Sequence, residues 1–201
     1  MGFGRLRVIN DDTIAPLGKF GMHAHQDFEI ITIPLRGVVT HEDSLGNRGE
    51  VRTGEVQAMS AGTGVTHSEE NASTTETLDL FQIWIEPRTL GARPRYEQAR
   101  FDEKGRKNAW QVLVSGDGTP GALPIYADAR IARADLEIGK SLDYGIIHPG
   151  NGAYVLVVEG DVEIDGERLE KRDAVGISDA VSLCITAHKP SSLLLIEVPM
   201  V

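Results

Sequence analysis

The sequence predicts an all-β protein, built as an antiparallel sandwich or barrel. Three observations predict it. Short runs rich in β-branched and aromatic residues recur along the chain, Gly, Asp, Asn or Pro punctuate them, and helical periodicity is almost absent. At 201 residues the chain can form one large domain or two small ones, each able to bury a core.

In chain order the first half offers GRLRVIN, EIITIPL, GVVTHE, EVQAMSA and LDLFQIWI as strands. The second half offers WQVLVS, ARIARADL, YVLVVEG, DVEIDG, DAVGIS, SLCITA and SLLLIEV. Turn sequences such as DSLGNRG, RTGE, SGDGTPG, HPGNG and IDGE separate them. From Pro87 to Asn108 the chain is polar, charged and poor in β-branched residues, as a connector would be. A short helix is expected there, around Tyr96 to Glu103.

The halves echo each other. EIITIPLRGVVTH followed by GEVQAMSAG parallels AYVLVVEGDVEI followed by RDAVGISDA. Aligning Gly37 with Gly160 sets His25 on His148 and His23 on Ile146. Aligning Ser60 with Ser178 sets His67 on Ile185 and Glu69 on Ala187. The second copy keeps the scaffold pattern and lacks the polar set, as expected of a duplicated β unit with one furnished copy.

The formal net charge of −10 disfavours direct binding to nucleic acid, which needs clustered Lys and Arg, and gives an anionic membrane nothing to attract. Cys184 is the only cysteine, so neither an internal disulfide nor a thiolate cluster is available. It reads as a buried small hydrophobe. No apolar signal-peptide core opens the chain and no run is long enough to span a bilayer, so a reducing, cytoplasmic setting is expected.

The chemistry lies in GMHAHQDFEI and GTGVTHSEEN. Residues two apart on a strand project to one face, so His23 and His25 form one pair and His67 and Glu69 another. On neighbouring strands the pairs would converge as three neutral imidazoles and one carboxylate. That set suits one divalent Fe, Zn, Ni, Cu, Mn or Co ion and leaves coordination positions open. The glycines before His67 would permit a tight turn that aims it inward. His41 reads first as a hydrogen-bonded residue at a strand end, and Asp43 and Ser44 as turn caps. Asp27 is expected to be solvated or to support a ligand. His148 and His188 have no partner at ligand spacing. Phe81, Ile83 and Ile85 alternate with Gln82 and Trp84 and read as core first and pocket lining second, with Trp110 in the core as well.

HAHQDFE, RGVVTHEDSLGN, GEVQAMSAGTGVTHSE and LFQIWI resemble the pirin family of bicupins, especially the bacterial pirin-like proteins assigned quercetin 2,3-dioxygenase activity. The likeness is strong from Met1 to about Phe101 and fainter to Val201. It implies two cupin (jelly-roll-like) β-barrels packed together: residues 1–95 as the metal-bearing barrel, 96–108 as connector and 109–201 as a barrel without metal. It implies that His23, His25, His67 and Glu69 bind the ion. The general cupin pattern would use Glu29 as the carboxylate, which leaves Glu29 a role in orienting an imidazole. The implied reaction is dioxygen-dependent cleavage of a flavonol such as quercetin, with Glu69 accepting the substrate proton. The other reading is a metal-bearing regulatory protein that acts through a protein partner. Family members carry a further stretch before GFGRLRVIND, which would complete the pocket wall and cover a sheet edge.

Overall fold

The structure, a computed structural model, describes residues 2–201. The first half contains β1 (Leu6–Ile14), β2 (Lys19–His25), β3 (Glu29–Arg36), β4 (Val38–Asp43), β5 (Arg48–Arg52), β6 (Glu55–Ser60), β7 (Val65–Glu70), β8 (Leu78–Ile85) and β9 (Arg95–Arg100). A 3-10 turn at Glu103–Arg106 leads to the second half. There follow β10 (Gln111–Ser115), β11 (Leu123–Pro124), β12 (Arg130–Leu136), β13 (Ser141–Gly145), β14 (Asn151–Glu159), β15 (Asp161–Ile164), β16 (Glu167–Glu170), β17 (Ala174–Ile177), β18 (Ser182–Ala187) and β19 (Ser191–Pro199). The expected helix around Tyr96 to Glu103 is instead strand β9, paired with β6 from Glu55↔Arg100 to Ser60↔Arg95. Pairing with an open edge outweighs the weak helical preference of YEQAR.

Each half is a flattened barrel of two sheets, and the fold is the expected bicupin. In the first, β1-β8-β3-β6-β9 faces β2-β7-β4-β5; in the second, β11-β10-β12-β19-β14-β17 faces β13-β18-β15-β16. Strand parity sorts the side chains. On β3 and β8, Ile31, Ile33, Phe81, Ile83 and Ile85 point out of the first barrel and pack with Leu156, Val158, Leu194, Ile196 and Val198 of the second. One continuous apolar core therefore joins the halves. The alternate residues, Ile30 and Trp84, or Leu78 and Leu80, face the first barrel's interior.

The second barrel encloses its own cluster, including Val155, Val157, Val162, Ile164, Leu183, Ile185 and Leu195, with Trp110 packed against it. Cys184 is exposed and not buried as expected, because Leu183 and Ile185 occupy the inward parity of β18.

Candidate metal centre

The centre is built on the sheet β2-β7-β4-β5. His23 lies opposite His67, and on the other side of β7 His67 lies opposite Asp43 and Glu69 opposite His41. The two sequence pairs lie on neighbouring strands, where His67 groups with His23 and His25, and Glu69 groups with His67 and His41. The β6–β7 turn that delivers His67 contains Gly62 at φ +46°, where a Cβ would meet the Ala92 carbonyl oxygen at 2.0 Å. Only glycine fits there.

The ring centroids of His23 and His25 are 4.7 Å apart, those of His23 and His67 4.5 Å, and those of His25 and His67 4.9 Å. One donor atom from each of the three lies within 4.8 Å of the others, and the same holds for a second group, His41, His67 and Glu69. Glu69 is buried and both its oxygens are engaged: Thr32 Oγ1 donates to Oε1 at 3.1 Å and Gln82 Nε2 to Oε2 at 2.5 Å. Trp84 Nε1 in turn donates to Gln82 Oε1 at 3.0 Å. Its ring meets His25 edge-on at 4.7 Å.

Burial, then the neighbouring imidazoles, hold His25 down to about 4 and His67 down to about 3. Both are neutral near pH 7, the form that offers a lone pair to a metal. Burial pushes the Glu69 carboxyl up, against the pull of His41, Thr32, Gln82 and His23. Neither nitrogen of the buried His67 has a hydrogen-bond partner in the protein, and nor does Nε2 of His25. Unpartnered buried polar atoms cost about 1–3 kcal/mol each, so their concentration here fits an ion. The donors are those of a site for one divalent transition-metal ion and do not select among Fe, Zn, Ni, Cu, Mn and Co.

Glu29 stands apart from this cluster. It shares the face of Ile31 and Ile33, accepts from Ser60 Oγ at 2.6 Å and meets the Tyr126 backbone. It cannot orient an imidazole from there. Phe81, Ile83 and Ile85 likewise line the seam between the halves rather than the pocket. The residues that reading by sequence missed are Thr32 and Gln82. A polar residue at alternate parity inside two apolar strands was the available signal.

Asp43 does cap its turn, accepting from Leu45 N and Asn47 N, whereas Ser44 accepts from Thr66 N on β7. Asp27 accepts from Gly91 N, a loop contact. His41 is wholly buried, with Nε2 3.2 Å from Asp43 Oδ2. It is hydrogen-bonded as expected, but it sits within β4 beside His67 and so inside the cluster.

Strand register also corrects the alignment of the halves. Opposite Ile185 stands Leu142, and opposite Leu183 stands Tyr144. His23 and His25 thus correspond to Leu142 and Tyr144, not to Ile146 and His148, because the β13–β14 connection is longer than that between β2 and β3. His148 lies outside this position, with Nε2 3.8 Å from Asp117.

A cavity of about 470 Å³ opens beside His25, lined also by Gln26, Ser44, Val65 and Thr66. A larger groove of about 790 Å³ beside Leu136, Ile138 and Pro190 contains no histidine. Among the described residues no helix is long and apolar enough to cross a membrane.

Two facing sheets in each half, with donors on one half alone, define a bicupin with a single furnished barrel. Residues 1–85 match the Pirin family and residues 112–198 the quercetinase C-terminal cupin domain. The chain belongs to the pirin family. It is 44% identical to a quercetin 2,3-dioxygenase of Escherichia coli strain K12, over 100% of this chain and 85% of the relative. A pirin-like protein of Caulobacter vibrioides is 42% identical, over 98% of this chain and 84% of that one. The crystal structure of the bacterial pirin YhhW from Escherichia coli in complex with nickel(II) matches with a TM-score of 0.93 at 42% identity, over 100% of this chain and 85% of the other.

Proposed function

We propose that the protein is a metal-dependent dioxygenase cleaving flavonols such as quercetin, with one divalent ion held by His23, His25, His67 and Glu69. The observation that carries this reading is the cluster of three imidazoles, with unpartnered nitrogens on His25 and His67 and a cavity opening beside His25. The names of the relatives supply the substrate class. The second barrel takes no part in the chemistry.

His23, His25 and His67 hold the ion from one wall of the barrel. When bound, the ion supplies Lewis acidity that makes a coordinated hydroxyl more acidic. Glu69 accepts the proton of the flavonol 3-hydroxyl, and Thr32 and Gln82 fix which way the carboxylate faces. The deprotonated flavonol is then electron-rich enough to react with dioxygen, both atoms of which enter the product as carbon monoxide leaves. Trp84 and Phe28 give the His25 side an apolar flank that limits water. At about 470 Å³ the cavity lies in the range of small-molecule sites, which favours a small substrate over a protein partner as the ligand of this centre.

The test follows quercetin absorbance in air with metal-reconstituted protein beside His25→Ala. Turnover that disappears in the variant is expected. Stoichiometric metal binding with no turnover would sink the dioxygenase reading.

A further inference from the structure

His41 has no place in the four-residue set, yet its surroundings are those of a metal ligand. It is fully buried on β4, level with Glu69 across the β4–β7 ladder, and its ring centroid is 5.3 Å from that of His67. Its Nε2 faces Asp43 Oδ2 at 3.2 Å, and that oxygen pair is itself fixed by Asn47 Nδ2 at 2.9 Å and 3.2 Å. A nitrogen facing a carboxylate carries the ring proton, which leaves Nδ1 as a bare lone pair. That Nδ1 is buried and has no hydrogen-bond partner. A carboxylate on one ring nitrogen and a free lone pair on the other is how proteins prepare a histidine to bind metal, since the carboxylate fixes the tautomer and raises the basicity of the donor. Three buried donors meet here, with ligand atoms of His41, His67 and Glu69 all within 4.8 Å of one another.

We propose that His41 is a metal donor: with His67 and Glu69 it forms an inner seat for the ion, overlapping the four-residue seat at His67 and Glu69. This rests on the metal-binding reading above and extends it. Because His67 and Glu69 are common to both, one ion fills one seat at a time. The outer seat opens on the cavity and the inner one is closed off by the barrel. A divalent transition ion of the same class suits both, because each offers at least two imidazoles.

The alternative is that His41 merely braces Glu69 and His67. Titration with Co(II), whose visible bands report its donors, separates the two. The wild-type chain is expected to bind one equivalent. His23→Ala/His25→Ala is expected to bind one equivalent about 100-fold more weakly, with a changed spectrum, and adding His41→Gln is expected to abolish binding. Identical titrations of the double and triple variants would overturn the inner seat, as would a double variant that takes up no Co(II). In the otherwise intact chain, His41→Gln guards against misfolding, its native sheet signature being checked by circular dichroism. Because the outer seat binds about 100-fold more tightly, this single variant is expected to keep near-wild-type affinity and spectrum, and a large loss of binding in it would show that His41 supports the outer seat instead of forming a second one and would overturn the proposal. A wild-type chain that takes up no Co(II) removes the metal-binding reading as well, whereas failure of the variants alone removes only the inner seat.

Discussion

The two barrels are the same scaffold filled in opposite ways. Across the larger sheet of the first, Gln57, Thr32 and Gln82 stand in one row; the matching row of the second is Val175, Val155 and Leu195. On the smaller sheet, His23, His67, Glu69, His41 and Asp43 occupy the places that Leu142, Ile185, Ala187, Val162 and Ile164 occupy in the other. The second barrel therefore closes on one apolar cluster, whereas the interior of the first is divided into two, with the centre between them. Each barrel also buries a glutamate. Glu197 in the second is held by Tyr144 Oη at 2.7 Å, Asn151 Nδ2 at 2.9 Å and the backbone N of His148 at 3.0 Å, with no imidazole ring nitrogen bonded to it. Its hydrogen-bonding capacity is used within the protein. In the first barrel the imidazoles of His25, His41 and His67, and the amide of Gln57, are left with unpartnered atoms. The difference teaches that burial of polar groups is not itself the mark of a site; a cluster of buried, unpartnered imidazoles is.

That contrast can be broken at its centre first. His67→Ala removes the donor shared by both groups, and isothermal titration with Ni(II) should show affinity lower by at least about 100-fold. Placing the polar residue in the wrong barrel tests the reverse. Ile185→His should destabilise the protein by about 2–4 kcal/mol in urea unfolding, because no partner awaits it among the surrounding aliphatic side chains. Gln82→Leu makes the first barrel more like the second at one position. It should lower metal affinity about 10-fold by releasing Glu69, and an affinity equal to wild type would remove Gln82 from the centre.

Acid provides a gentler test. His25 and His67 take up protons in the unfolded chain near 6.5 but resist them when folded, down to about 4 and about 3. Below pH 6.5 the unfolded state therefore binds more protons, and metal-free protein should lose stability as pH falls, by up to about 1.4 kcal/mol per pH unit for each histidine. The loss levels off once the folded pKa values are passed. His67→Leu should flatten that slope in pH-dependent denaturation. Smallest of all, Glu29→Gln should leave Ni(II) affinity within about twofold, since its carboxylate faces the seam and not the donors.

Much of this arrangement was legible in the sequence because it is local. H-x-H and H-x-E need only the alternation of a strand to put their side chains together, and the echo between halves needs only a matching pattern. What could not be read depends on register between distant strands. Nothing near Thr32 or Gln82 says that both reach Glu69 from the opposing sheet, and nothing near His41 says that β4 sets it beside Glu69. The ungapped alignment of the halves failed for a related reason, since a change in loop length is invisible to it. The side of the strand on which Glu29 falls was fixed only once β3 was seen between two cores.

β2 has a consequence of its own. It carries two of the proposed donors, it is the outermost strand of its sheet, and its ladder to β7 is broken by a register shift between Phe20 and His23. Outer strands open far more often than whole domains unfold. Departure of an ion would then be timed by the fraying of this one strand, with the rest of the fold intact. A bound ion would in return clip the strand shut, slowing hydrogen exchange at the β2 amides while leaving those of β14 and β19 unchanged.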